Sequence, residues 1–93
     1  MSGKVRVKAI IYGLVQGVFF RYTTKLKAQE YGLTGWVRNL PGGEVETLFE
    51  GDEDKVGEMV KWCHKGPSGA RVEKVDLIYQ KYTGEFDSFY IKH

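Results

Sequence analysis

An α+β fold, one antiparallel sheet covered on one face by two helices, follows from three features of the sequence. Apolar and charged residues alternate over residues 4–12, and an apolar stripe of helical period runs from Val56 to Cys63. Glycine and proline punctuate these and the remaining segments into the order strand, helix, strand, strand, helix, strand.

In the first segment Val5, Val7, Ala9 and Ile11 fall on one side and Arg6, Lys8 and Ile10 on the other, the period of a half-buried strand. Gly13 to Gly17 break that pattern. Residues 20–31 are rich in helix formers such as Lys25, Leu26, Ala28 and Glu30, and Gly32 supplies a C-cap. Two apolar faces compete in this helix: Tyr22, Leu26 and Leu33 mark one, and Phe20, Thr24, Ala28 and Tyr31 the other. Residues 35–40 and 45–49 read as two strands joined by Pro41, Gly42 and Gly43, a hairpin signal. The second helix has Asp52 as N-cap and Glu53 and Asp54 at its positive end. Val56, Met59, Val60 and Cys63 follow at helical spacing, and Gly66-Pro67 stops the run. Val75, Leu77 and Tyr79 alternate as a fourth strand, and Phe89 and Ile91 mark a short extra strand at the C-terminus. Packing both helices on one sheet face buries all these apolar sides together. The expected architecture is a ferredoxin-like βαββαβ sandwich, a fold that by itself assigns no function.

The 93 residues suit one domain, 1–93, with a single core. An apolar fraction of 42% allows folding without metal or disulfide staples, and the lone Cys63 excludes an intrachain disulfide. No apolar run approaches the roughly 18 residues of a membrane span, and the charged N-terminal segment does not build a signal-peptide core. A soluble, cytoplasmic protein is expected, and its small size favours a monomer. The net charge of +2 is spread along the chain and does not call for nucleic acid.

The segment Gly13-Leu14-Val15-Gln16-Gly17-Val18-Phe19-Phe20-Arg21 follows a strand and opens a helix. Backbone N–H groups that converge there, with the unpaired donors of the first helical turn, suit an anion such as phosphate. Arg21 adds a planar guanidinium that matches two phosphate oxygens. The same spacing also suits a plain turn followed by a solvated arginine. It is neither a Walker-type loop, since no Gly-Lys-Ser/Thr follows, nor a three-glycine dinucleotide fingerprint. Asn39 is the only asparagine; before Leu40-Pro41-Gly42 it also suits a simple turn-former.

Val15-Gln16-Gly17-Val18-Phe19-Phe20-Arg21, preceded by Gly13, resembles the first signature of the acylphosphatase family. Gly35-Trp36-Val37-Arg38-Asn39, with Gly43, Val45 and Gly51, resembles the second. The similarity continues through Gly66-Pro67 and Ala70-Arg71-Val72 and covers nearly the whole chain. It implies a free-standing enzyme that hydrolyses the carboxyl–phosphate anhydride of acyl phosphates. It implies that backbone amides of Gln16, Gly17, Val18, Phe19, Phe20 and Arg21 cradle the phosphate, that the Arg21 guanidinium completes the cradle, and that Asn39 holds the attacking water. It implies no metal and no organic cofactor. The chemistry is self-consistent, because a departing carboxylate needs no general acid and the work left is positioning and charge stabilisation.

Other residues carry less. Cys63 lies on an apolar stripe and reads as core; His64 suits the negative helix end; His93 reads as a mobile terminal residue with no catalytic part. The run Glu50, Asp52, Glu53, Asp54 lacks the alternate-ligand calcium pattern. The rival readings are an RNA-binding module and a non-catalytic anion-binding module on the same fold. Against RNA, the third strand carries Glu44, Glu46 and Glu50 where a phosphate backbone would lie.

Overall fold

The alternation read at the N-terminus organises the sheet. The computed structural model describes residues 3–93, so the first two positions of the expected 1–93 domain lie outside the described residues. The elements are β1 (Lys4–Leu14), α1 (Phe20–Glu30), β2 (Thr34–Asn39), β3 (Val45–Asp52), α2 (Glu53–Cys63), β4 (Arg71–Gln80) and β5 (Phe89–Ile91). The sheet order is β4-β1-β3-β2-β5. The first four strands pair antiparallel, as expected, whereas β5 adds parallel to β2 and makes the sheet mixed.

Val7, Ala9 and Ile11 of β1 are buried on one side, as are Val37 of β2 and Val45 and Phe49 of β3. Both helices cover that side: Phe20 and Ala28 of α1 and Val56, Met59 and Cys63 of α2 join the same core. Of the two faces legible in α1, the one through Phe20, Thr24 and Ala28 is buried, while Tyr22 and Leu26 are exposed. The stripe of α2 is buried as its period predicts. Asp52 takes the N-cap position without capping. Its carboxylate accepts a hydrogen bond from Lys4 Nζ at 2.8 Å instead, and the Glu53 N–H donates to the carbonyl of Gly3.

Two expectations about β4 need correction. The strand begins at Arg71, ahead of the alternating residues, and the inward side of Leu77 and Tyr79 is exposed rather than core. β4 is an edge strand whose far half runs past the helical layer, so only Val72 and Val75 pack against the core.

The opposite sheet face is covered by ion pairs. Glu46 is held by Arg38 at 2.6 Å and Lys8 at 3.7 Å. Glu50, 1% exposed, accepts from Arg6, from the Thr83 amide and hydroxyl, and from the Gly84 amide. Residues 81–88 thus cross from the β4 edge to the β5 edge over Arg6 and Glu50. No described helix is long and apolar enough to cross a membrane.

Candidate active site

β1 ends beside the start of α1, and the connection between them folds for local reasons. Tyr12 pairs with Lys74 but Gly13 pairs with Val72, so Glu73 is the extra residue of a bulge. Gly13 has φ +128°, and a Cβ there would run into the carbonyl oxygen of Arg71. The bulge turns the strand end into the loop. Val15 and Phe20 anchor that loop in the core, 1% and 2% exposed, and Val18 packs partly buried against it. Gly17 takes φ +76° between these anchors.

Phe19 is the N-cap of α1, in the left-handed region at φ 61° and ψ 25°, and its side chain makes no capping hydrogen bond. The first turn of α1 contains no acidic residue. The N–H groups of that turn and the positive end of the helix dipole are therefore neither capped by a side chain nor neutralised. The contrast with α2 is informative, since its first turn carries Glu53 and Asp54.

Arg21 sits in the first turn of α1, half-buried. Arg6 and Arg38 pair with carboxylates, but among the described residues none lies within ion-pair distance of Arg21. Asn39 closes β2 on the helix side of the sheet, on the same face as buried Val37. Its Oδ1 is buried and has no hydrogen-bond partner among the described residues. A buried acceptor left without a partner costs about 1–3 kcal/mol; among the described residues Glu44 Oε1 is the other such atom, and unlike Asn39 it lies away from the pocket.

A pocket of about 280 Å³ joins these parts. Gln16, Gly17, Phe19, Phe20, Arg21 and Asn39 all line it. Of the residues singled out from the sequence, only Val18 lies away from the pocket, its side chain turned to the core. Tyr22, Ile91 and His93 also line it and were not anticipated. His93, read from sequence as a mobile end with no part in the site, is brought there by β5. No local signal announces that placement, because it depends on β5 pairing with β2 far along the chain.

The Gln16 side chain was also missed. Its Nε2 donates to the Leu40 carbonyl at 2.8 Å and the Glu44 carbonyl at 2.9 Å. One amide thus ties the loop to the hairpin that begins at Asn39. Cys63 is fully buried, and burial pushes its thiol up to about 12, which makes it inert at neutral pH. His64 caps α2, with Nδ1 donating to the Val60 carbonyl at 3.0 Å. Among the described residues no three His, Cys, Asp or Glu side chains come together as metal ligands.

The arrangement can hold a dianion by backbone amides, a helix end and one guanidinium, with a side-chain acceptor beside it. Known proteins are similar to this chain in sequence and fold. The family model described as Acylphosphatase matches residues 7–91. An acylphosphatase of Geobacter sulfurreducens is 51% identical over 90 residues, 97% of this chain and 99% of that protein. The solved acylphosphatase of Coxiella burnetii superposes with a TM-score of 0.91 at 34% identity, covering 96% of this chain and 93% of that one. That of Bacillus subtilis gives 0.92 at 30% identity, covering 96% and 99%.

Proposed function

The chain belongs to the acylphosphatase family, and from that premise we propose how its residues share the reaction. The protein hydrolyses the carboxyl–phosphate anhydride of acyl phosphates to a carboxylate and inorganic phosphate. One observation carries the assignment of roles: an unpartnered, buried Asn39 Oδ1 shares a pocket with the uncapped start of α1 and an unpaired Arg21.

The phosphoryl group binds across the amides of Gln16, Gly17, Val18, Phe19, Phe20 and Arg21, with the Arg21 guanidinium forked onto two of its oxygens. Asn39 Oδ1 accepts a hydrogen bond from one water and aims its oxygen at phosphorus. The water oxygen forms a bond to phosphorus as the bond from phosphorus to the acyl oxygen breaks. The electron pair of that bond leaves with the carboxylate. The water's proton passes to a phosphoryl oxygen, since amide Oδ1 is too weak a base to take it. Dianionic acyl phosphate and water thus give a carboxylate and a monoanionic phosphate, and charge balances. Arg21 and the loop amides stabilise charge on the transferred group in the transition state. The reaction so described uses no metal or cofactor, and the domain works as a cytoplasmic monomer. The single cysteine, buried and free, supports a reducing compartment.

Hydrolysis in heavy-oxygen water tests the direction of attack. The label is expected in inorganic phosphate; label in the carboxylate places the attack at the acyl carbon and removes the role given to Asn39.

A further inference from the structure

Phe19 is the one described non-glycine residue with positive φ, at 61°. It is also the most exposed of the large apolar side chains, at 80%. Each feature is costly alone: bulky residues rarely take this backbone conformation, and a solvated phenyl ring contributes nothing to the core. The loop does not lack core contacts, because Val15 and Phe20 on either side are buried. Strain of this kind at a ligand site points to function. Phe19 lines the pocket, and so does Tyr22, one helical turn on and 54% exposed. Ile91 and His93 complete that part of the lining, and no Asp or Glu side chain among the described residues contributes to it.

We propose that Phe19 and Tyr22 form an aromatic ledge that receives the acyl group, so that the enzyme selects acyl phosphates with an aromatic or extended apolar acyl portion over small ones. The inference rests on the acylphosphatase reading above and adds the acyl side to it. With Arg21 committed to the phosphoryl group, no fixed cation remains to receive a second anion on the acyl chain. A flat apolar acyl group stacks on or edges against the two rings, and its contact is kept in the transition state while the carboxylate departs. Such a contact raises kcat/KM for the matching substrate. The left-handed backbone at Phe19 is what turns its ring away from the core while its amide stays in the loop.

The test compares kcat/KM for benzoyl phosphate and acetyl phosphate in wild type, Phe19→Ala, Phe19→Gly and Tyr22→Ala. The glycine variant relaxes the backbone and guards against a folding defect. The ratio, benzoyl over acetyl, cancels any change in the phosphate cradle that both substrates share. It is expected to fall about tenfold in both Phe19 variants, the scale of a lost apolar contact in a specificity pocket, and to fall in Tyr22→Ala as well. An unchanged ratio in folded Phe19 variants overturns the ledge while leaving the acylphosphatase reading intact. Folded wild type that hydrolyses neither compound overturns the acylphosphatase reading, and the ledge with it.

Discussion

At the scale of the residue, the site depends on side chains freed from structural duty and one that is not. Arg21 has no carboxylate and Asn39 Oδ1 no partner among the described residues, whereas Gln16 is fully engaged with the Leu40 and Glu44 carbonyls. Gln16→Ala removes both hydrogen bonds but leaves each carbonyl its backbone donor, the Gly43 N–H for Leu40 and the Leu40 N–H for Glu44, so it is expected to cost only about 1 kcal/mol of stability. The larger effect falls on the distance between cradle and water. We expect kcat to drop between about tenfold and a hundredfold, since small displacements of a positioning group have that effect. In a double-mutant cycle the loss should be much smaller once Asn39 is already alanine; full additivity would mean that Gln16 acts elsewhere. The backbone place of Gln16 in the loop was legible in the sequence. Its side-chain bridge was not, because Leu40 and Glu44 become its neighbours only after the hairpin folds against the loop.

At the scale of the element, α1 is the least legible and the most informative. Of the face through Tyr22, Leu26 and Leu33, the two residues within the helix are exposed and only Leu33, beyond its end, is core; Tyr22 lines the pocket. A helix that serves the core along its length and a ligand at its start cannot show a clean amphipathic stripe. α2 serves only the core, and its stripe was read residue for residue. β4 misled for a related reason, since alternation reports which side chains share a face and not whether a helix covers that face. The bulge where β4 meets β1 carries a prediction. Gly13→Ala places a methyl group against the Arg71 carbonyl and forces φ +128° on a residue with a Cβ. A loss of about 2 kcal/mol or more is expected, read as a lower urea midpoint, with weaker inhibition by inorganic phosphate as the loop shifts.

At the scale of the whole molecule, the two ends of the sheet do different work. The pocket sits where β1 and β2 end, and the Arg6–Glu50 staple holds residues 83–85 where β1 begins. By pinning the crossing from β4 to β5, the staple places the strand that brings Ile91 and His93 to the pocket. Burial alone would raise the Glu50 carboxyl, but hydrogen bonds from Thr83, Arg6 and Gly84 outweigh it and hold it below its ordinary value of 4.5. A carboxyl lowered by folding stabilises the fold fully above its unfolded value. That contribution is lost as pH falls from 4.5 through the lower folded value. Glu50→Gln is therefore expected to cost about 3 kcal/mol at neutral pH, as removal of one partner from a buried pair does, and to flatten the acid limb of a urea-midpoint profile. An equally steep limb in the variant would assign acid sensitivity to other carboxylates. The strand and helix order was legible because glycines and proline mark nearly every boundary; the staple was not, because it joins residues more than thirty positions apart. The most direct test of the account is steady-state hydrolysis of an aryl acyl phosphate, with EDTA present, by wild type, Arg21→Ala and Asn39→Ala, each checked for folding. The account predicts an active wild type indifferent to EDTA and folded variants slower by a hundredfold or more, roughly 3 kcal/mol each. Folded variants that retain wild-type turnover would contradict it.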